Sequence, residues 1–184
     1  MKQLPNLLSA LRLALAPYLF VLLWRRDYLP ALAICIVAGV TDGLDGLLAR
    51  KLGAHSRFGA YLDPIADKIL LSGAFLTLAL DGAIEIWLAV LVLGRDALIL
   101  LFAAGAFLFT KSTRDFPPSF WGKASTAAQI VFILALILHL TGLADATLFA
   151  APFVAIVTLL KWLVAALAVW SGLDYARLAL RRKA

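Results

Sequence analysis

The sequence predicts an all-α polytopic membrane protein with six transmembrane helices, formed by one domain over residues 1–184. Hydrophobic residues make up 64% of the chain and charged residues 15%, whereas about 25% of a soluble domain is charged. Mean hydropathy is strongly positive, at +0.96. The 184 residues can supply six spans of about 20 residues each, with no length left for a separate soluble domain.

The first three predicted spans are apolar runs that end at charges or turn-forming residues. The first, Leu7–Trp24, ends at two arginines and an aspartate. The second, Ala31–Leu48, follows a proline and ends just before an Arg-Lys pair. The third, Pro64–Leu80, ends at an Asp-Gly turn signal.

The last three predicted spans are bounded in the same way. The fourth, Ile84–Phe109, ends before a basic segment that leads into a Pro-Pro pair. The fifth, Thr126–Thr141, follows that pair and a lysine, and it ends at a glycine. The sixth, Leu148–Gly172, leads into a basic C-terminal tail. The chain therefore crosses the bilayer an even number of times.

Basic residues are concentrated on one side of the predicted bundle. They occupy the N-terminus, the connections after the second and fourth spans, and the tail, whereas the other side holds two arginines beside several acidic residues. The positive-inside rule then places both termini at the cytoplasmic face. Because the basic residues lie beside spans, the net charge of +6 indicates anionic lipid and phosphate as partners, and not nucleic acid. No cleavable signal pattern is evident, so we expect a prokaryotic cytoplasmic (inner) membrane, with an organellar membrane as the alternative.

Four aspartates lie where the second and third spans approach the cytoplasmic face: Asp42, Asp45, Asp63 and Asp67. At the bilayer centre each would cost about 2.5–3.5 kcal/mol, so the four would together cost about 10 kcal/mol or more if buried and unpaired. A compensating positive charge is needed. The natural candidate is a divalent metal ion.

The spacing of the first pair predicts one helix face. Residues advance by about 100° on a helix, so Asp42, Asp45 and Ala49 fall within about 60° of one another. Beside this face the same helix carries a stripe of glycines, which lets another helix or a flat ligand approach the backbone closely. This stripe consists of Gly39, Gly43 and Gly46.

The residue types in this cluster indicate Mg²⁺ or Mn²⁺. Both ions prefer carboxylate and water oxygens, and the cluster contains no His or Cys, which makes zinc a poor candidate. The single Cys35 lies in an apolar run and is interpreted as a packing residue. Two metal ions held by several carboxylates suit an in-line displacement at phosphorus. A carboxylate not needed for the metals could take the proton from an attacking hydroxyl.

Eight positions from Asp42 to Asp67 form one pattern: Asp-x-x-Asp-Gly-x-x-Ala-Arg, eight residues, then Gly-x-x-x-Asp-x-x-x-Asp. This pattern resembles, at every position, the signature of the CDP-alcohol phosphotransferase family, also called the CDP-alcohol phosphatidyltransferase family. The resemblance implies a six-helix membrane enzyme that moves a phosphoalcohol group from a CDP-linked donor to an acceptor hydroxyl and releases CMP. Segments around residues 5–17, 63–68 and 122–129 also resemble the phosphatidylglycerophosphate synthase and cardiolipin synthase branch.

The resemblance implies a role for each matching position. The four aspartates would hold two Mg²⁺ or Mn²⁺ ions, and Asp67 would also be the base that deprotonates the acceptor. The resemblance also suggests a homodimer. The positions that it implies for CDP binding are Asp42, Asp45, Gly46, Ala49, Arg50, Gly59 and Asp63.

The acceptor site is predicted from basic residues, each of which has a second interpretation. Arg12 could reach a phosphate or extend to the interface, and Lys123 could bind the acceptor or anchor the fifth span. Arg95 either contacts the acceptor, as the resemblance implies, or forms an ion pair with its neighbour Asp96. The remaining two candidates, which could instead be solvated or headgroup charges, are Arg57 and Lys111.

The leading hypothesis is a divalent-metal-dependent phosphatidyltransferase that uses CDP-diacylglycerol and a glycerol-type acceptor in the membrane. Glycerol 3-phosphate would give phosphatidylglycerophosphate, whereas phosphatidylglycerol would give cardiolipin. A second basic residue expected after Arg95 in phosphatidylglycerophosphate synthases is missing, which weakens the glycerol 3-phosphate case without displacing it. A rival from another class is a cation- or proton-coupled transporter, but its carboxylates are expected near the midplane of repeated halves. A silent scaffold would be favoured only if a signature position were missing.

Two polar residues far from the signature carry no predicted catalytic role. Lys161 lies inside the sixth span beside a tryptophan, and we expect its partner across helices, at a dimer contact. His139 is interpreted as a capping or interface residue near the end of the fifth span.

Overall fold

A computed structural model describes the backbone of residues 4–52, 59–110, 120–143 and 150–181. It describes side chains within residues 11–41, 68–101, 120–143, 151–175 and at 177. The described secondary structure consists of six α-helices and contains no strand, in agreement with the predicted all-α class. The helices are α1 (Leu4–Trp24), α2 (Tyr28–Leu52), α3 (Gly59–Leu80), α4 (Ile86–Thr110), α5 (Phe120–Leu140) and α6 (Ala150–Arg181).

Most helices extend beyond the predicted spans at the end that carries the signature. Helix α3 begins at Gly59 and not at Pro64, α5 begins at Phe120 and not at Thr126, and α6 continues past Gly172 to Arg181. A span prediction follows the apolar run, whereas backbone hydrogen bonding continues through polar residues once a helix has formed. The correction at α3 places Asp63 inside a helix.

The ends of α1, α2 and α3 that lie away from the signature meet around Asp81. Its carboxylate accepts hydrogen bonds from Arg26 Nε at 3.1 Å and from Tyr28 Oη at 3.3 Å. The tight turns have positive φ at Arg26 (62°) and at Gly82 (81°). Glycine is well suited to that conformation because it lacks a Cβ. We call this end of the bundle the far end.

Helices α4 and α6 run parallel and in register. Two contacts join them and a third joins α6 to the residue just before α4; in each the two residue numbers differ by 75 or 76, which requires both helices to run in the same direction. The contacts are Glu85 with Lys161, Trp87 with Trp162, and Arg95 with Ser171.

The core of the described bundle is apolar and closely packed. Helix α1 packs against α2 and α3, while α6 packs against α4 and α5. The buried rings of Phe75 on α3 and Phe132 on α5 stack with centroids 6.0 Å apart and link the two groups. The Phe20 ring lies directly against Gly73, so α1 and α3 approach closely there.

The outer surface is also apolar. Large hydrophobic side chains are exposed around the described bundle, including Leu101 (68%) and Leu159 (70%). Two helical segments within the described residues are long and apolar enough to cross a membrane, Phe120–Leu140 and Ala151–Tyr175. Such a surface suits a hydrocarbon environment better than water.

Candidate active site

The two aspartate pairs occupy equivalent heights on α2 and α3. The Tyr28–Asp81 hydrogen bond fixes the register of the two helices at the far end. Asp42 lies 14 positions after Tyr28, and Asp67 lies 14 positions before Asp81. At 1.5 Å per residue, both positions are about 21 Å along the helix from this contact.

The second aspartate of each pair lies about one turn farther from the far end. Asp45 is three positions beyond Asp42, and Asp63 is four positions beyond Asp67. On their helices the paired positions are about 60° and 40° apart. The side chains of all four lie outside the described part of the structure, as do those of Ala49 and Arg50.

Four carboxylates at matched heights on two consecutive helices fit a pair of divalent cations by their chemistry. Hard cations such as Mg²⁺ and Mn²⁺ favour oxygen donors. The side chains that the structure describes contain no group of three or more His, Cys, Asp or Glu residues that could hold a metal. The side chains of the four aspartates lie outside that part of the structure, and their role as metal ligands stays a prediction.

A buried charge network adjoins the aspartate region. Asp96 on α4 places its Oδ1 2.6 Å from Arg95 Nη1 and its Oδ2 2.6 Å from Lys68 Nζ. Lys68 follows Asp67 directly on α3. One carboxylate between two cations leaves this group with a net charge of +1.

The rest of the Arg95 guanidinium is held by α5 and α6. Ser171 Oγ accepts hydrogen bonds from Arg95 Nε at 3.1 Å and from Nη2 at 2.7 Å. The Gly122 carbonyl accepts another from Nη2 at 3.1 Å. With the Asp96 contact, these bonds engage four of the five N–H groups of a guanidinium, leaving one on Nη1 for a further ligand.

The predicted acceptor residues have different surroundings. Arg95 forms an ion pair with Asp96, which was one of the two roles predicted for it. Its contact with the acceptor, the other predicted role, stays a prediction. Arg12 is buried on α1 with 2% of its surface exposed, whereas Lys123 is exposed on α5 beside Gly122. Arg57 and Lys111 lie outside the described residues.

Sequence reasoning assigned no individual role to several buried polar residues of α5 and α6. Ser171 and Ser125 are both fully buried, and so is Gln129, whose Nε2 donates to Ser125 Oγ at 3.4 Å. Lys68, to which the sequence assigned no cross-helix partner, is an ion-pair partner of Asp96 on another helix. A hydroxyl or amide side chain within an otherwise apolar helical segment is the sequence signal that could have identified these residues, because polar groups buried in a membrane helix need hydrogen-bond partners.

The far end holds a separate ion pair. Lys161 Nζ donates to Glu85 Oε1 at 2.7 Å and lies 5.5 Å from the centre of the Trp162 ring. A cross-helix partner for Lys161 is thus found, and it lies within the same chain. The hydrogen bond from Lys161 holds the pKa of the Glu85 carboxyl below its usual value. His139 is in the last turn of α5, with its ring 6.3 Å from that of Phe153.

The described residues line a cavity of about 410 Å³ at the far end. Its walls include Glu85, Phe132 and Lys161. The aspartate positions lie about 21 Å along their helices from the Tyr28–Asp81 contact at this end, and we assign this cavity no part in the reaction.

The family model for CDP-alcohol phosphatidyltransferase matches residues 2–170 of the chain. The chain is 34% identical, over 97% of its length, to "Probable phosphatidylglycerophosphate synthase" of Mycobacterium tuberculosis (strain ATCC 25618 / H37Rv) and covers 82% of that protein. It is 32% identical, over 94% of its length, to "CDP-diacylglycerol--glycerol-3-phosphate 3-phosphatidyltransferase 1, chloroplastic" of Oryza sativa subsp. japonica. It is 33% identical, over 72% of its length, to "Cardiolipin synthase (CMP-forming)" of Rattus norvegicus. The chain spans about half the length of these last two relatives, 55% and 49%. The match over nearly the whole chain, together with the complete signature on α2 and α3, shows that this chain belongs to the CDP-alcohol phosphatidyltransferase family.

Proposed function

We propose that this chain is a phosphatidyltransferase that moves the phosphatidyl group from CDP-diacylglycerol to the hydroxyl of a glycerol-type acceptor and releases CMP. The best acceptor is glycerol 3-phosphate, which gives phosphatidylglycerophosphate. The observation that carries this proposal is the unbroken eight-position signature, set on two helices of a chain that belongs to the family. Relatives named for phosphatidylglycerophosphate synthesis add support.

The four signature aspartates would hold two Mg²⁺ or Mn²⁺ ions. When bound, such ions neutralise charge on the diphosphate and on the leaving CMP. Asp67 takes the proton from the acceptor hydroxyl, whose oxygen then forms a bond to the phosphorus that bears diacylglycerol. The bond from that phosphorus to the oxygen bridging to CMP breaks, and CMP leaves with the electron pair.

Small residues beside the aspartates would accommodate the CDP moiety. Gly46, Ala49 and Gly59 leave room for the cytidine and its diphosphate close to the backbone. Arg50 would lie close to the same site, where its positive charge would stabilise the negatively charged diphosphate.

Positive charge supports a phosphomonoester acceptor. Arg12 and Arg95 are buried within the bundle, and the network that contains Arg95 carries a net charge of +1. A positively charged site attracts the glycerol 3-phosphate dianion more strongly than it attracts a singly charged phosphodiester. Lys123, Arg57 and Lys111 are further candidates for the acceptor region.

Phosphatidylglycerol is the second candidate acceptor, with cardiolipin as the product. The similarity to proteins named cardiolipin synthase favours it, as does the missing second basic residue after Arg95. A coupled transporter is disfavoured because the aspartates form one cluster with no repeated half.

All six helices would span the membrane, with both termini and the aspartate end at the cytoplasmic face. The exposed apolar side chains and the basic residues beside the aspartate end support this orientation. We further propose that this membrane is a prokaryotic inner membrane and that the protein forms a homodimer.

Two isosteric substitutions test the assignment of the aspartates. Asp67→Asn should abolish CMP release while CDP-diacylglycerol binding is largely retained, because the proposed base is lost. Asp63→Asn should impair metal-dependent donor binding, because a carboxylate ligand is lost. Glu85→Gln, which removes a carboxylate from an ion pair at the far end, is the control and should turn over normally. Wild-type CMP release by either of the first two purified variants would refute the assignment.

A further inference from the structure

We infer that Asp96 is a positioning residue for the transfer reaction, holding Arg95 and Lys68 in the geometry that acceptor binding requires. This inference rests on the proposed function. Asp96 is 3% exposed, and each of its carboxylate oxygens lies 2.6 Å from a different cation. Arg95 and Lys68 are far apart in the sequence, and the Asp96 carboxylate lies between their charged groups and holds both.

The Asp96 carboxylate ties together four helices. It belongs to α4 and reaches Lys68 on α3 directly. Through Arg95 it connects to Ser171 on α6 and to the Gly122 carbonyl on α5. Both cations are therefore held at defined positions before any substrate binds.

Two members of this network adjoin residues assigned to the reaction. Lys68 follows Asp67, the proposed base, and Gly122 precedes Lys123, a candidate acceptor contact. Four contacts fix the Arg95 guanidinium and leave one Nη1 N–H to meet the acceptor. A shift of about 1 Å in such a contact can cost about 100-fold in rate.

Removing the negative charge at Asp96 would leave two nearby cations without a shared counterion. Asn retains the shape, but it is uncharged and one of its two terminal groups is an NH2 donor, so in this geometry a donor would face either Arg95 or Lys68. Because the Arg95 side of the network faces the acceptor in our proposal, the KM for the acceptor should change most. The donor site on α2 and α3 should be affected little.

The test is steady-state kinetics of purified Asp96→Asn, with CDP-diacylglycerol and glycerol 3-phosphate varied separately. We expect the acceptor KM to rise at least about tenfold while the donor KM stays within about threefold. Asp96→Glu keeps the charge and should recover most of the acceptor affinity. Glu85→Gln breaks an ion pair of the same type at the far end and should leave both KM values unchanged.

A second variant covers the case in which Asp96→Asn does not fold. Ser171→Ala removes two hydrogen bonds to Arg95 without changing charge, and it should raise the acceptor KM about threefold with an unchanged donor KM. Equal changes in both KM values, or no recovery with Asp96→Glu, would overturn the inference. Wild-type protein that releases no CMP would instead overturn the proposed function, and this inference with it.

Discussion

Gly73→Ala should weaken the packing of α1 against α3, which together carry Arg12 and two of the signature aspartates. A Cβ added at Gly73 would overlap three carbons of the Phe20 ring. Forcing a methyl group into a packed interface costs about 1–3 kcal/mol, because neighbouring groups must move. Alanine also gains about 1 kcal/mol over glycine in helix propensity, so the net destabilisation should be about 0–2 kcal/mol.

Gly39→Ala is the matched control. The structure describes no atom within 4 Å of a Cβ added at Gly39, so this variant should show only the propensity gain. Subtracting one variant from the other cancels helix propensity and isolates the overlap with Phe20. The expected difference of about 1–3 kcal/mol corresponds to a melting temperature lower by about 3–9 °C for Gly73→Ala.

Cys35 supplies the assay. It is the single cysteine of the chain and is 9% exposed, so a thiol-reactive dye should label it mainly after unfolding. Labelling during a thermal ramp in detergent gives the melting temperature of each variant. The double variant Phe20→Leu with Gly73→Ala should recover part of the loss, because the smaller side chain leaves room for the methyl group. Equal melting temperatures for Gly73→Ala and Gly39→Ala would refute the packing argument.

Two further predictions concern the far end and the metal site. Lys161 lowers the pKa of Glu85, so the stabilising contribution of this pair is complete above the ordinary Glu pKa of about 4.5 and is lost as pH falls through the folded-state pKa. Because Glu85 is half exposed, Glu85→Gln should cost at most about 1 kcal/mol at pH 7 and less at a pH below the folded-state pKa, as measured by melting temperature; an equal cost at both pH values would contradict this. A chelator should abolish CMP release, and Mg²⁺ or Mn²⁺ but not Zn²⁺ should restore it.

The number and type of the helices could be predicted from hydropathy because each apolar run is long and clearly bounded. The ends could not, because the helices continue into polar sequence at the signature end, as α6 does from Gly172 to Arg181. Nothing in local composition marks where backbone hydrogen bonding stops in such a segment.

The shared helix face of each aspartate pair could be predicted from the sequence, because spacings of three and four residues bring two positions of a helix to the same face. The contacts around it depend on which helices pack together and in which register. Lys161 finds Glu85 at a separation of 76 residues, and Arg95 finds Ser171 at the same separation. Those partners follow from α4 and α6 lying parallel, which a single sequence does not encode as a local pattern. The Arg95–Asp96 pair was foreseeable because the two residues are adjacent.

The most direct test of the central claim is identification of the lipid product. Detergent-purified protein is given CDP-diacylglycerol, Mn²⁺ and either glycerol 3-phosphate or phosphatidylglycerol, and the lipids are identified by mass spectrometry. We predict phosphatidylglycerophosphate and one CMP per lipid formed with glycerol 3-phosphate. Cardiolipin from phosphatidylglycerol alone would move the chain to the second candidate function. No CMP and no new lipid with either acceptor would contradict the account.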